Sequence, residues 1–320
     1  MANADAASRV RFFDLLTAAA DPAVELRAGL AAPLAAIPPK FFYDALGARL
    51  FEAICELPEY TLPRDEQAIF DRHTDEFARR IGAGCTLIDL GAGDCAKAER
   101  LFEALQPAQY VAVDIAGGFL RTQLASVARR HPRLDIIGVA ADFSRGLVLP
   151  PEVSARRRVV FYPGSSIGNF SPEEARAFLA DIHTQCAGGH LLLGADLVKD
   201  SAELVAAYDD ALRVTAAFNL NVLNVVNRIA GTDFAPSDWR HVALFNAAES
   251  RIEMHLEARR ALQVRWPGGG RDFAAGARIH TENSYKTTPL ALTELLRAAG
   301  FADINLYMDP AKRFALALAQ

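Results

Sequence analysis

The stretch CTLIDLGAGDCAKAERLFEALQPAQYVAVDI, residues 85–115, decides the fold of this 320-residue chain. It opens with an apolar, β-branched run at 85–91 that ends in glycine, and a segment with helical spacing follows at 94–106. A second short apolar run, 110–115, closes the stretch. A strand, a helix and a strand in this order predict a βαβ unit with two parallel strands.

The same alternation continues towards the C-terminus. The apolar runs at 134–143, 157–164 and 190–197 predict further strands, and the segments 119–132 and 171–186 predict helices. Ser171, Pro172 and Glu174 form a helix start with a capping box. The alternation predicts an α/β fold of the doubly wound, Rossmann-like kind. A helix at 288–301 and two strands around Pro310 predict an antiparallel C-terminal edge, as in class I methyltransferases.

The remaining segments have a different character. The first residues suggest a loose tail followed by an amphipathic helix, residues 198–230 look helical, and the Pro-Gly-Gly-Gly at 267–270 indicates a strand hairpin. We therefore predict a core of residues 61–199 and 286–320. A second, α+β substrate-binding domain of residues 1–60 and 200–285 is expected over the carboxyl ends of the core strands, where such sheets bind ligands.

Composition and charge exclude several classes of function. The net charge of −5 argues against nucleic acid as a partner. No apolar run reaches the roughly 18 residues of a membrane span, and the N-terminus lacks the layout of a signal peptide, so we predict a cytoplasmic location. The four cysteines form no CxxC pair and the seven histidines no HxH or HxxxH pair, so no metal site is predicted. We expect a monomer.

The glycine turn after the first core strand predicts a nucleotide site. Gly91 and Gly93 allow a tight turn close to a ligand, and Asp114 ends the next strand, where its carboxylate can accept both hydroxyl protons of a ribose. The same residues, with Ala96, match the GxGxxG/A fingerprint of NAD-type oxidoreductases, which is therefore an alternative. A turn without a ligand is a third reading.

Three acidic residues favour a methyltransferase over an oxidoreductase. Asp89 before the glycines, and Asp142 with Phe143 after the third strand, belong to the methyltransferase version of this core. There the carboxylate of Asp142 would bind the adenine amino group while Phe143 stacks on the base. Asp94, directly after the glycines, would repel a pyrophosphate.

The chain resembles a specific family, the histidine-specific Nα-methyltransferases of ergothioneine biosynthesis. The matching motifs lie along nearly the whole chain: KFFYD (40–44), LPEY (57–60), DLGAG (89–93) with Lys97, GSSIGNF (164–170), GADL (194–197), AYDD (207–210), RIEMHL (251–256) and TENS (281–284). The resemblance implies the S-adenosylmethionine-dependent trimethylation of free L-histidine to hercynine, with S-adenosylhomocysteine as the other product. Relatives of the family methylate other amino acids, so an Nα-methyltransferase of tryptophan is the main alternative, and a non-catalytic cofactor-binding protein a remoter one.

The resemblance also implies site residues. The cofactor would contact Gly91, Lys97, Asp114, Asp142 and Phe143, to which the glycine-turn pattern adds Asp89 and Gly93. The amino acid would contact Tyr43, Tyr60, Asn169, Tyr208, Met254, Glu282 and Ser284. Among these, Asn169 and Tyr208 would hold the amino acid end, and Glu282 and Ser284 the imidazole. We predict Tyr43 and Asn169 as catalytic residues, with Asn169 orienting the amine and a tyrosine or water accepting its proton.

Each assignment has a simpler structural alternative. Tyr43, Tyr60 and Tyr208 could be core aromatic residues, and Met254 could be core filler. Asn169 could instead have the sole role of shaping a turn. The Glu282 and Ser284 side chains share one strand face by their spacing, and could form a solvated edge.

Overall fold

The computed structural model describes residues 9–16 and 21–320. The first eight residues, where the predicted loose tail begins, lie outside these ranges. The described residues divide into two compact units: the first comprises residues 9–16, 64–197 and 287–320, and the second comprises residues 21–63 and 198–286.

Strands and helices alternate through much of residues 86–196, and the chain becomes strand-rich after residue 238. The strands are β1 Arg11–Asp14, β2 Thr86–Leu90, β3 Gln109–Asp114, β4 Asp135–Ala140, β5 Arg158–Tyr162, β6 His190–Asp196, β7 Trp239–Asn246, β8 Arg251–Ala258, β9 Leu262–Trp266, β10 Gly269–Phe273, β11 Arg278–Tyr285, β12 Ile304–Met308 and β13 Phe314–Ala319. The α-helices are Pro22–Ala31, Ala45–Cys55, Leu62–Ile81, Ala96–Glu99, Phe102–Leu105, Gly117–Arg130, Pro172–Cys186, Ser201–Tyr208, Val214–Ala230 and Pro289–Ala298.

The first unit is built on one large sheet. Its strand order is β1-β4-β3-β2-β5-β6-β13-β12, parallel from β1 to β6, with β13 antiparallel to both β6 and β12. Buried side chains such as Ile88, Val111, Ile137, Val160 and Leu193 form its core. Strands covered on both faces need apolar side chains at every position, which is why the chain carries uninterrupted apolar runs. The predicted α/β fold with an antiparallel C-terminal edge is confirmed.

One local prediction in this unit was wrong, and a second was confirmed only in part. The segment expected to form an amphipathic helix contains β1, whose residue Phe12 lies against Gly138 of β4 and under the guanidinium of Arg121. A Cβ atom at position 138 would stand 2.5 Å from the ring, so glycine makes room for the aromatic side chain. The predicted helix at 94–106 is two short helices, Ala96–Glu99 and Phe102–Leu105, and begins after Cys95 in a left-handed conformation (φ 65°).

The second unit combines helices with small antiparallel sheets. Strands β7, β8 and β11 form a three-stranded sheet in the order β11-β8-β7, and β9 and β10 form the hairpin predicted around residues 267–270. The helix Val214–Ala230 packs against the helices Pro22–Ala31 and Ala45–Cys55 and against β7. The strand Arg11–Asp14, assigned to this part from sequence, belongs to the sheet of the first unit.

Candidate active site

The glycine turn after β2 is held by Asp114, the last residue of β3. Gly91 and Gly93 have positive φ angles of 69° and 53°, which glycine adopts without strain. The Asp114 Oδ2 atom accepts the N–H of Gly93 at 2.9 Å, and its Oδ1 atom accepts the N–H of Ala116 at 2.8 Å. A carboxylate has about four acceptor sites, so Asp114 can hold the turn and still accept hydroxyl protons of a ligand.

Phe143 lies over the same turn. A Cβ atom on Gly91 would be 4.0 Å from the Cζ atom of Phe143, and the partly buried ring makes an edge contact with Tyr162 at 5.8 Å between centroids. The preceding Asp142 accepts the N–H of Ser144 at 3.2 Å. Because β2, β3 and β4 are parallel neighbours, Gly91, Asp114 and Phe143 all lie at one edge of the sheet.

Asp89 is located in the interior of the sheet. Its side chain is 2% exposed and accepts the hydroxyl of Tyr110 at 2.8 Å. Burial raises the pKa of Asp89 to about 7, and the charge of Asp114 acts in the same direction. The structure therefore gives Asp89 a buried partner in Tyr110, and its contact with a cofactor stays a prediction.

Lys97 is held by a residue that the sequence analysis missed. Glu66 lies in the helix Leu62–Ile81 and is 2% exposed. Its carboxylate accepts a hydrogen bond from Lys97 Nζ at 2.6 Å and another from the N–H of Gly164 at 2.7 Å. Gly194 of β6 leaves space for this carboxylate, since a Cβ atom there would come within 2.7 Å of Glu66 Oε1. Glu66 thus joins Lys97 to the loop after β5. The charged segment around Glu66 gave no sequence signal that this carboxylate is buried.

Asn169 ends the short 3-10 helix Ser166–Asn169 that follows β5, and its side chain is exposed. The next residues begin the helix Pro172–Cys186 with the predicted capping box of Ser171 and Glu174, which is confirmed. Asn169 belongs to the first unit, whereas the other residues predicted to bind the amino acid belong to the second.

In the second unit, the predicted tyrosines lie in one aromatic cluster. Tyr43 contacts Phe51 and Phe218 edge-on, with ring centroids 5.6 Å and 5.8 Å away. The ring centroids of Phe51 and Tyr60 are 6.4 Å apart, and those of Tyr60 and Tyr208 are 6.0 Å apart. Burial, with Tyr208 nearby, raises the pKa of Tyr60 well above its ordinary value, so this phenol keeps its proton.

The predicted ring-binding residues share one face of β11. The register places Glu282 opposite Met254 and Ser284 opposite Ile252 of β8, after a bulge between His280 and Glu282. Met254, which is 2% exposed, is therefore a cross-strand neighbour of Glu282. Burial raises the pKa of Glu282 to about 7, and the ammonium of Lys286 partly opposes this effect.

Lys286 completes this face and was also missed from the sequence. Its side chain is 4% exposed, and its Nζ atom donates to Ser284 Oγ at 2.8 Å and to Tyr208 Oη at 3.1 Å. The Tyr208 hydroxyl donates to Ser284 Oγ at 2.8 Å. The spacing of residues 282, 284 and 286 was the available signal, because alternate residues of an extended segment lie on one face and Lys286 directly follows β11.

His241 supports the helix that carries Tyr208. Its Nε2 atom lies 2.8 Å from the backbone carbonyl oxygen of Tyr208, and its Nδ1 atom lies 2.8 Å from the side-chain amide nitrogen of Asn219. Burial lowers the pKa of His241, which favours the neutral ring that these two contacts require. His241 therefore fixes the end of the helix Ser201–Tyr208.

The described part of the chain contains no cluster of three or more His, Cys, Asp and Glu side chains that could hold a metal ion. Within residues 9–16 and 21–320, no helix has both the length and the apolar composition needed to cross a membrane.

A family model for S-adenosylmethionine-dependent, histidine-specific methyltransferases matches residues 22–320. This chain belongs to that family. It is 42% identical over 313 residues to the histidine N-alpha-methyltransferase of Mycolicibacterium smegmatis, covering 94% of this chain and 97% of that protein. It is 35% identical over 279 residues to ergothioneine biosynthesis protein 1 of Neurospora crassa, where the match covers 84% of this chain and 31% of the longer protein.

A more distant relative has a name that points to a different substrate. The 4-dimethylallyltryptophan N-methyltransferase of Claviceps purpurea is 26% identical over 253 residues, covering 71% of this chain and 74% of that protein.

The cofactor of this methyltransferase family is S-adenosylmethionine, and the residues of the first unit fit it. Asp114 offers acceptor sites suited to two ribose hydroxyls, and the ring of Phe143 offers a face for a base beside Gly91. The glycines leave the backbone open to a ligand. The prediction of an S-adenosylmethionine-dependent methyltransferase is confirmed, and the NAD-type alternative is set aside.

Proposed function

We propose that this protein methylates the α-amino group of free L-histidine and produces the trimethylated betaine hercynine, a step of ergothioneine biosynthesis. The main support is the face of β11, where Glu282 offers an acceptor and Ser284 a hydroxyl, two residues apart. An imidazole ring carries one N–H donor and one bare nitrogen, so it matches such a pair. Membership of the histidine-specific family supports the same substrate.

We assign the two units different roles in this reaction. Residues 61–199 and 286–320 were predicted to bind the cofactor, and the fit of Asp114 and Phe143 supports this role. Residues 1–60 and 200–285 were predicted to bind the amino acid, and the cluster of Tyr60 and Tyr208 with Ser284 supports that role.

Bound S-adenosylmethionine supplies a methyl group carried on a positively charged sulfur. The chain's contribution is to position the amine with its lone pair facing the methyl carbon, on the side away from sulfur. We propose that Asn169 orients the amine and that Tyr43 lines its surroundings. The nitrogen must turn between successive transfers, so the carboxylate and the ring of the substrate are the parts to be held firmly.

The α-ammonium group of the substrate must lose a proton before it can react. The raised pKa of Tyr60 makes that phenol a poor base, and we propose that water accepts the proton. A Tyr43→Phe variant that binds histidine but no longer turns it over would show that Tyr43 accepts the proton instead.

A substrate panel tests the proposed function. The protein is incubated with S-adenosylmethionine and L-histidine, L-tryptophan or L-phenylalanine, and the products are followed by mass spectrometry. Histidine should gain one, two and three methyl groups, whereas a histidine peptide blocked at its carboxyl end should react far more slowly. Preferential methylation of tryptophan would overturn the histidine assignment in favour of the alternative that the Claviceps relative suggests.

A further inference from the structure

The hydrogen bonds around Ser284 determine where its own proton can point. A serine oxygen has two acceptor lone pairs and one O–H. The ammonium of Lys286 and the hydroxyl of Tyr208 both donate to this oxygen, each at 2.8 Å. Both lone pairs are then occupied, so the Ser284 proton must be donated to another group.

The direction of the bond between the two hydroxyls follows from their chemistry. Lys286 has only donors, and it contacts both the Tyr208 and the Ser284 oxygen. A phenol is more acidic than an aliphatic hydroxyl, so Tyr208 is the better donor and Ser284 the better acceptor. The reverse bond would direct the Ser284 proton to Tyr208 and leave it unable to serve a ligand.

Lys286 is fixed in place through its backbone. Its N–H donates to the Ser250 carbonyl at 2.7 Å, and the Ser250 hydroxyl donates to the Lys286 carbonyl at 2.9 Å. The Nζ atom also lies 4.9 Å from the centroid of the Tyr208 ring. A buried ammonium with these contacts has little freedom to turn away from Ser284.

We propose that Lys286 is a positioning residue that holds the Ser284 hydroxyl as a donor towards the substrate ring, so that the site selects a ring with a bare nitrogen beside an N–H. This proposal rests on the proposed function and extends it to a residue two positions beyond Ser284. Glu282 accepts the N–H, Ser284 donates to the bare nitrogen, and Lys286 keeps these two roles from being exchanged. The selected ligand is a neutral imidazole in one tautomer.

Two sets of histidine analogues separate the donor role from the acceptor role. The 2-pyrrolyl and 3-pyrrolyl forms of β-pyrrolylalanine keep a ring N–H and lack a bare nitrogen. β-Thiazolylalanine keeps a bare nitrogen and lacks the N–H. We would measure kcat/KM for histidine and for each analogue with the wild type and with Lys286→Met, Lys286→Arg and Ser284→Ala.

In Lys286→Met, the preference for histidine over the pyrrolyl analogues should fall by about tenfold, the size of one lost hydrogen bond. The preference over thiazolylalanine depends on ionised Glu282, whose pKa the Lys286 ammonium lowers, so it is measured at a pH well above 7, where it should stay within about threefold. Lys286→Arg keeps the charge and the donors and should retain part of the wild-type preference. Ser284→Ala should lower the same preference, and the double variant with Lys286→Met should lower it no further.

Thermal unfolding and S-adenosylhomocysteine titration identify folded variants. A folded Lys286→Met variant with the wild-type preference would overturn the proposal, as would additive effects in the double variant. If Lys286→Met does not fold, the Ser284→Ala variant alone tests the donor role of Ser284. If that variant loses the preference for histidine over thiazolylalanine, then Ser284 is an acceptor for the ring N–H and the proposal is refuted. Failure of the proposed function is seen separately, as wild-type protein that does not methylate histidine.

Discussion

Asp114 has a structural role besides the ribose contact predicted for it. Its two oxygens hold the N–H groups of Gly93 and Ala116, so the glycine turn and the start of the next helix both depend on it. Charged hydrogen bonds of this kind are the strong ones. The predicted ribose contact therefore adds to a structural role that the sequence did not reveal.

Replacing Asp114 should weaken cofactor binding. Asp114→Ala removes the acceptors for both hydroxyls, and each lost charged bond costs ~1.5–3 kcal/mol, so affinity for S-adenosylhomocysteine should fall at least about tenfold. Asp114→Asn keeps one acceptor oxygen, so its affinity for S-adenosylhomocysteine should fall less than that of Asp114→Ala. Calorimetric titration measures both variants, with thermal unfolding as the control for the turn. Unchanged affinity in the alanine variant would mean that the cofactor binds elsewhere.

Glu282 should give histidine turnover a dependence on pH. Its pKa lies at about 7, above the ordinary value, so the ionised form that accepts a ring N–H becomes populated as the pH rises through about 7. We expect kcat/KM for histidine to rise over this interval. Glu282→Gln should remove that step, leaving the titration of free histidine near pH ~6.5. Identical pH profiles of variant and wild type would rule Glu282 out as the source.

At the scale of elements, the start of the helix Gly117–Arg130 offers a matched pair of glycines. A Cβ atom at Gly117 would lie 2.8 Å from the Cβ of Ala140 in β4, whereas a Cβ atom at Gly118 meets nothing within 4 Å. The two residues are neighbours on one helix, yet only the first packs against the sheet. The close packing of this helix on the sheet therefore depends on one particular missing side chain.

The two alanine substitutions should have opposite effects. Gly117→Ala should lower the free energy of unfolding by about 1–3 kcal/mol, because the helix must move away from β4. Gly118→Ala should leave it unchanged or raise it by up to about 1 kcal/mol, since alanine favours the helix. Urea denaturation of both variants tests the packing. Equal effects at the two positions would contradict it.

At the scale of the whole molecule, buried Asp89 links stability to pH. Its pKa is raised from 3.8 to about 7 in the folded state. As the pH rises from about 4 to 7, the carboxyl ionises in the unfolded chain before it does so in the folded protein. This difference destabilises the folded state progressively up to about pH 7 and then stays constant.

Removing this charge should therefore stabilise the protein above neutral pH. Asp89→Asn keeps an acceptor for Tyr110, and its gain over the wild type should grow between pH 5 and pH 8, to at most about 4 kcal/mol. Thermal unfolding without cofactor, at several pH values, measures the gain. A difference from wild type that does not change with pH would show that Asp89 does not titrate in this range.

The sequence by itself determined the parallel strands of the core and the residues predicted to bind the cofactor at their carboxyl ends. Continuous apolar runs predicted β2 to β6, and the glycine turn, Asp114 and Phe143 were predicted because each lies at the end of a strand or within three residues of it. Parallel neighbouring strands bring such residues to one edge, so local patterns sufficed. The capping box at Ser171 is equally local.

Only the tertiary structure identified the supporting residues. Glu66 meets Gly164 across 98 positions, and Tyr208 meets Lys286 across 78. Strand β1 depends on the space left by Gly138, and β7 and β8 were not predicted at all. A buried charge is stable only when other groups supply its hydrogen bonds, and where those groups are distant in sequence no pattern along the chain records which they are. The sequence by itself thus determined the fold class, the family and the residues that end the core strands, whereas long-range packing decided which polar side chains are buried and what holds them.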